Sequence, residues 1–165
     1  MWEDGFDMYG YALEWEGRQL VSVGSVSDYT DVATFLEYTY NADGIRTSKT
    51  YNGVKHEYYL NGSQVIAETW TENNVEHLLI FLYDENGSPL GLKYRNSTYS
   101  EGTFDCYFFE KNLQGDIVAV YDDIGYRVGK YVYDAWGRCT VVCNSYVKTN
   151  ESTRSKERYS SVAKI

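Results

Sequence analysis

The sequence predicts an all-β protein: a curled, strongly twisted antiparallel sheet of about ten strands, built from successive β-hairpins. Three observations lead to this fold class. A short phrase that begins with Tyr and ends with Gly recurs along the chain. Asn-Gly and Asp-Gly pairs, which are typical of tight hairpin turns, lie between short runs of strand length. No stretch keeps the 3.6-residue apolar period of a helix, so we expect little helix.

The recurrent phrase is Tyr, then usually Asp or Asn, then two further residues, with Gly four places after the Tyr. A constant offset indicates that one small unit is reused, as in repeat architectures. We expect Tyr to end a strand, the acidic residue to start the turn, and Gly to take a positive-φ position. The residues with these structural roles are Tyr40, Asp43, Gly44, Tyr83, Asp84, Gly87, Tyr121, Asp122, Gly125, Tyr133, Asp134 and Gly137, with a looser copy from Tyr58 to Gly62.

The strands are placed by runs of strand length between turn residues. The predicted strands are 45–51, 54–60, 64–70, Val75–Tyr83, 88–95, 103–110, 116–121, 126–133 and 138–142. The run Val75–Tyr83 is apolar on both faces apart from Glu76 and His77, which predicts a central, covered strand. Residues 72–74 and 96–102 are expected to form longer, exposed loops.

The ends of the chain differ from its middle. Residues 1–10 have no clean pattern, residues 11–142 are predicted to form the sheet domain, and residues 143–165 lose the repeat. The final segment is rich in Ser, Thr, Lys and Arg, so we expect either disorder or a short helix there. No composition shift marks a second domain.

Composition narrows the set of partners. The chain has 15 Lys and Arg against 24 Asp and Glu, a formal net charge of −9. This balance predicts no nucleic-acid partner and no anionic-lipid partner, because both bind dense positive charge. No apolar run reaches the length of a membrane span, and the first residues do not resemble a signal peptide. The chain is therefore expected to be intracellular or to be a segment of a longer exported protein.

The sequence gives little indication of a metal site or of an enzyme active site. The chain has three cysteines, Cys106, Cys139 and Cys143. The pair Cys139 and Cys143 would need two further ligands nearby to hold zinc, and the only histidines are His56 and His77. Reduced, part-buried thiols without a metal or cofactor are the expectation. Both histidines lie inside predicted strands without a nucleophile motif, so we expect them to be packed or on the surface. The chain is accordingly expected not to be an enzyme.

Several segments together resemble the Rhs/YD-repeat family. They are 15–20, 40–50, 57–68, 81–90 and 111–137, the last closing on Tyr-Asp-Ala-Trp-Gly. The resemblance covers about residues 11–142 and implies a wall segment of a hollow β shell. In that family the shell encloses a C-terminal toxin or effector in secreted or cell-surface proteins. The implied partners are adjoining repeats and the enclosed effector, and the implied role is structural and non-enzymatic.

The chain departs from that family pattern at one informative point. The family's core ends in an Asp-Pro-containing self-cleavage region, whereas the only proline here is Pro89, which follows Ser88. The resemblance therefore implies a partial or truncated copy. Such a segment would leave open sheet edges, through which we expect self-association.

A second class of function is a carbohydrate-binding or cell-wall-binding module. Repeats rich in Tyr, Trp and Gly can present aromatic faces that stack on glycans. The candidate stacking residues are Trp15, Trp70 and Trp136, although packing inside the sheet is the favoured role for them.

Overall fold

The structure is a computed structural model that describes residues 10–28 and 31–143. Within these residues every regular element is a strand, and each strand hydrogen-bonds to the next in chain order in one sheet. The strands are β1 (Gly10–Glu16), β2 (Gln19–Asp28), β3 (Asp31–Tyr40), β4 (Arg46–Tyr51), β5 (Val54–Asn61), β6 (Gln64–Glu72), β7 (Val75–Tyr83), β8 (Pro89–Asn96), β9 (Asp105–Lys111), β10 (Ile117–Asp122), β11 (Arg127–Tyr133) and β12 (Cys139–Cys143). The prediction of an all-β antiparallel sheet is confirmed. The described part of the chain contains no helix that could cross a membrane.

The chain divides into two compact units. The first unit is Met1–Leu79 with Asn96–Thr98, and the second is Ile80–Arg95 with Tyr99–Ile165. Their charges differ strongly. The first unit holds 4 Lys and Arg against 13 Asp and Glu, and the second holds 11 against 11, which together give the 15 and 24 of the whole chain. The predicted domain limits near residues 10 and 142 stay predictions, and residues 1–9 and 144–165 lie outside the described residues.

One loop type joins strands at five places, which we call the Asx-Gly loops. In the first copy, Asn41 Oδ1 accepts hydrogen bonds from the amides of Asp43 and Ile45, at 3.1 and 2.9 Å. The Gly44 amide donates to the Asn41 carbonyl at 3.0 Å, and Gly44 has a φ of 77°, in the left-handed region that glycine tolerates best. The same bonding pattern recurs at Asp84, Asn112, Asp122 and Asp134.

Two further turns are closed by two residues with positive φ, the geometry of type I′ hairpins. Asn52 and Gly53 have φ of 48° and 81°, as the Asn-Gly pair predicts. Asn73 and Asn74 have φ of 51° and 61°, so the longer loop predicted at 72–74 is in fact a tight turn. Asparagine tolerates this backbone region better than most residues, which makes the turn possible without glycine.

Buried side chains in the second unit come from neighbouring strands. Leu92 on β8 pairs with Tyr107 on β9, and both are almost fully buried, as is Val120 on β10. Gly91 lies directly against the Tyr107 carbonyl, where a side chain would not fit. In the first unit, Leu79 on β7 is buried to the same degree. These residues hold their strands by apolar burial as well as by backbone hydrogen bonds.

Candidate functional site

The residues best suited to chemistry lie on β4, β5, β6 and β7 of the first unit. Lys49 pairs with His56 across β4 and β5, and His56 pairs with Trp70 across β5 and β6. Directly paired residues project to the same face of a sheet, so the three form one row. Glu68 and His77 contact this row, and together we call the five residues the His56 cluster.

His56 and Glu68 form the central contact of the cluster. His56 Nδ1 lies 2.6 Å from Glu68 Oε1, and Lys49 Nζ lies 4.0 Å from the same oxygen. Glu68 is a buried carboxylate, only 8% exposed. A carboxylate oxygen accepts hydrogen bonds, so this contact is a hydrogen bond in the tautomer with the proton on His56 Nδ1, and that tautomer leaves the lone pair of Nε2 available. The carboxylate thus fixes the ring orientation, as the acidic member of a catalytic triad does.

Trp70 is stacked between the two imidazoles of the cluster. Its ring centroid lies 5.0 Å from that of His56 and 4.7 Å from that of His77, with interplanar angles of 15° and 2°. Burial lowers the pKa of His77, an effect that Glu72 opposes and His56 reinforces. His77 is therefore biased towards the neutral form, which suits a stacking role.

Tyr58 adds a neutral hydroxyl beside Glu68. It pairs with Glu68 across β5 and β6. Burial, followed by the charge of Glu68, raises the Tyr58 pKa to about 12, so its phenol stays protonated in the physiological range. Among the residues that the structure describes, no group of three or more His, Cys, Asp or Glu is arranged to hold a metal ion.

The three tryptophans of the glycan-stacking alternative have different environments. Trp70 is 8% exposed and has imidazoles on both faces, so it cannot receive a ligand ring. Trp15 on β1 of the first unit is 57% exposed. Trp136, in the loop between β11 and β12 of the second unit, is 93% exposed. The structure therefore does not place all three on a binding surface.

The residues of the repeat phrase lie at strand ends and loops, where they make different contacts. The Tyr40 hydroxyl donates to the Leu20 carbonyl at 2.8 Å, and the Tyr133 hydroxyl donates to the Ile117 carbonyl at 3.0 Å. The Tyr121 hydroxyl donates to Glu110 at 2.7 Å. The pKa of Tyr83 is raised by burial. In the first copy the side chain that organises the loop is that of Asn41, while Asp43 contributes its amide.

Cys106 and Cys139 are free thiols. Cys106 is half-buried, as expected, whereas Cys139 is exposed, and the side chain of Cys143 lies outside the described residues.

The sequence analysis set aside the histidines that the structure brings together with Glu68. One signal could have found the pair. His56 and Glu68 lie on opposite arms of a predicted hairpin that turns at Gly62, so counting outwards from the turn places them near each other. The count is not simple, because a bulge at Tyr59 and Leu60 shifts the register.

Comparison with known proteins identifies relatives of defined activity. The chain is 37% identical over 108 residues to the tRNA nuclease WapA of Bacillus subtilis (strain 168). It is 34% identical over 108 residues to the tRNA3(Ser)-specific nuclease WapA of Bacillus spizizenii, and 36% identical over 108 residues to the tRNA(Glu)-specific nuclease WapA of Bacillus subtilis subsp. natto. Each match covers 64% of this chain and 4% of the relative. No family model matches the chain.

These findings correct three expectations. The assignment to the Rhs/YD-repeat family is wrong, since no family model supports it and the relatives are named as tRNA nucleases. The expectation that the chain is a structural segment of a shell around an effector is contradicted by the same finding, since the relatives are named as tRNA nucleases. The expectation of a non-enzymatic protein is contradicted as well, because the names denote enzymes. The carbohydrate-binding alternative gains no support from the relatives.

Proposed function

We propose that this chain is a segment of a tRNA-cleaving nuclease. The observation that carries the proposal is the 34–37% identity to three proteins named as tRNA nucleases. The relatives are named for different tRNAs and match the chain at similar identity, so we propose no particular tRNA as the substrate. The chain spans about 4% of the length of these relatives, so the activity is proposed for the longer polypeptide and the chain is given a part in it.

Within the chain, the His56 cluster is the arrangement that best supports RNA cleavage. In cleavage without a metal, a base removes the proton of a ribose 2′-hydroxyl, and the 2′-oxygen forms a bond to the neighbouring phosphorus. His56 Nε2 is the base in this scheme, because Glu68 holds the other ring nitrogen. The bond from phosphorus to the 5′-oxygen breaks, and the leaving oxygen takes a proton from water. The resulting hydroxide recovers a proton from the His56 imidazolium, which restores the site.

Lys49 supplies positive charge in the same row. Its ammonium lies 4.0 Å from Glu68 Oε1 and next to His56, where it would favour the phosphate that receives the attack. This charge matters because the first unit is strongly acidic and would otherwise repel a phosphate.

The test is cleavage of mixed tRNA by the longer polypeptide that contains this chain, in the presence of EDTA, followed on denaturing gels. The expected product carries a 2′,3′-cyclic phosphate, and the variants His56→Ala and Glu68→Gln are expected to reduce the rate about 10²-fold or more. Glu57→Gln is the matched control, because Glu57 lies next to His56 on β5 and its exposed side chain forms an ion pair with Lys55. Absence of cleavage by the wild-type polypeptide would contradict the proposed function. Equal rates in the wild type and in both variants would contradict the role of the cluster.

A further inference from the structure

We propose that Arg46, Lys49 and the Tyr58 hydroxyl form a binding site for a phosphodiester group beside His56. The inference rests on the proposed function and deepens it by naming the residues that hold the phosphate of the substrate. Arg46 and Lys49 both lie on β4 and are two of the four Lys and Arg residues of the first unit. Half of the basic residues of an acidic unit are therefore next to the proposed catalytic histidine.

A β-bulge in β4 turns Arg46 to the same face of the sheet as Lys49. The strand carries one extra residue, Thr47, between the pairs that Ser48 and Arg46 make with β3. Residues three apart on a regular strand project to opposite faces, and one extra residue reverses this alternation. The contact of Arg46 agrees with this orientation, because its guanidinium lies over the ring of Tyr38, the residue that pairs with Lys49.

The guanidinium of Arg46 is held by tyrosine rings, and its N–H groups are available to a ligand. It lies 3.9 Å from the ring centroid of Tyr38 and 5.9 Å from that of Tyr40. Among the described residues, no carboxylate forms an ion pair with Arg46, although the first unit holds 13 Asp and Glu. A guanidinium has five N–H donors in a fork that matches two oxygens of one phosphate. Arg46 therefore offers these donors from a position that is already fixed.

Tyr58 lies between Arg46 and the His56–Glu68 contact. It follows His56 by two residues on β5, so it projects to the same face about 7 Å further along the strand. Burial raises the pKa of Tyr58 to about 12, and the charge of Glu68 adds to this rise while the charge of Arg46 opposes it. The hydroxyl is therefore within electrostatic range of both groups, and it stays protonated and able to donate a hydrogen bond to a phosphate oxygen.

The acidic residues of this region leave the positive charge of β4 available to an anion. Glu68 is buried, and its carboxylate contacts His56. Glu57 projects to the other face, because it is next to His56 on β5, and it pairs with Lys55. Glu72 lies four residues beyond Glu68 on β6, about 13 Å further along the strand. The strand β4 itself contains no Asp or Glu.

The test is titration of the purified, ¹⁵N-labelled chain with a 2′-O-methyl dinucleotide at low ionic strength, followed by two-dimensional NMR. This probe has one phosphodiester group and lacks the 2′-hydroxyl that cleavage needs. The Arg46 Nε–Hε signal and the His56 ring signals are expected to shift. Arg46→Ala is expected to weaken binding about 10-fold or more, as loss of a charged hydrogen-bonding partner does. Arg46→Lys should retain part of the affinity, because it keeps the charge but loses the fork of donors.

Two controls separate a phosphate site from general attraction. Lys55→Ala removes one positive charge from the neighbouring strand, on the face away from His56, and should leave the affinity unchanged. The same dinucleotide with a methylphosphonate linkage has no charge on its phosphorus group and should bind much more weakly. The inference is overturned if the wild-type chain does not bind the probe, if Arg46→Ala binds it equally well, or if the neutral dinucleotide binds as tightly.

The probe also separates this test from that of the proposed function. His56→Ala leaves Arg46 and Lys49 in place and should still bind the dinucleotide. If it does so and the longer polypeptide does not cleave tRNA, the proposed function fails and the phosphodiester site remains. If the polypeptide cleaves tRNA and Arg46→Ala binds the probe as the wild type does, the phosphodiester site alone is removed.

Discussion

At the scale of single residues, His77 shows how burial lowers the pKa of a side chain within a sheet. Its pKa is lowered chiefly by burial against neighbours that include Trp70, while the Glu72 charge acts in the opposite direction. The unfolded chain lacks this burial and has a histidine pKa of about 6.5. At about pH 8, both states hold His77 almost entirely neutral, so it has little effect on the pH dependence of stability there.

Acid is predicted to destabilise the fold through His77. As pH falls below about 6.5, the unfolded chain takes up a proton that the folded protein resists, so the free energy of unfolding decreases. His77→Gln removes this titration. The stability difference between wild type and His77→Gln, measured by urea unfolding, should therefore shift against the wild type from pH 7.5 to pH 5.5. A difference that stays constant, or that shifts towards the wild type, would contradict this assignment.

Catalytic candidates were the least predictable feature at this scale. His56 contacts Glu68 only because β5 and β6 pair in a particular register, and the bulge at Tyr59 and Leu60 changes that register within the hairpin. Residue type and spacing give no measure of such a bulge, since it depends on how the two strands pack. The sequence therefore left both histidines as packed or surface residues.

At the scale of elements, the Asx-Gly loops depend on one side-chain oxygen. Asp84 accepts hydrogen bonds from the amides of Asn86 and Ser88, at 2.9 and 2.8 Å. The equivalent positions in two other loops are Asn41 and Asn112, whose amide oxygens make the same contacts. The shared requirement is an acceptor at this position, and a negative charge is not needed.

Replacement of Asp84 tests this requirement. Asp84→Ala removes both acceptor contacts and is expected to lower the free energy of unfolding by about 1–2 kcal/mol. Asp84→Asn is the matched control, because it keeps the oxygen that Asn41 and Asn112 use, and it should change stability by less than about 0.5 kcal/mol. Chemical denaturation of the three proteins gives the comparison. If Asn proved as destabilising as Ala, the carboxylate charge would be the important property.

The elements themselves were largely predictable, and the exceptions have physical causes. Nine strands lie within two residues of their predicted limits, because turn residues such as Asn52 and Gly53 mark their ends directly. The turn at Asn73 and Asn74 was missed, since it reaches positive φ without glycine. The strands β1, β2 and β3 were not placed individually, because 10–40 carries fewer Asn-Gly or Asp-Gly markers.

At the scale of the whole molecule, an average over the chain concealed the charge distribution. Counted over whole units, all of the excess acid belongs to the first unit, but the described residues of the second unit also hold more Asp and Glu than Lys and Arg, 9 against 6. The boundary between the units falls within the continuous strand β7, where no change in composition marks it. The difference in charge can be counted from the sequence, but sequence reasoning could not have placed the boundary between the units.

The edges of the sheet give the last prediction. Among the described strands, β1 has only β2 as a neighbour and β12 has only β11, so each leaves one side of its backbone without a strand partner. On β1, Tyr11, Leu13 and Trp15 are all more than half exposed. An exposed apolar edge favours pairing between chains, and a charged residue on the edge opposes it.

We therefore expect the wild-type chain to self-associate as its concentration rises, measured by sedimentation velocity, and Leu13→Lys to shift the distribution towards monomer. Leu113→Lys is the control, because it places the same charge at an exposed leucine of a loop instead of at a strand edge, and it should leave the association unchanged. The self-association depends on backbone pairing at β1, so a loop substitution of equal charge removes solubility alone as an explanation. A wild-type chain that remains monomeric at every concentration would contradict the prediction and show that the exposed edge of β1 does not pair with other chains.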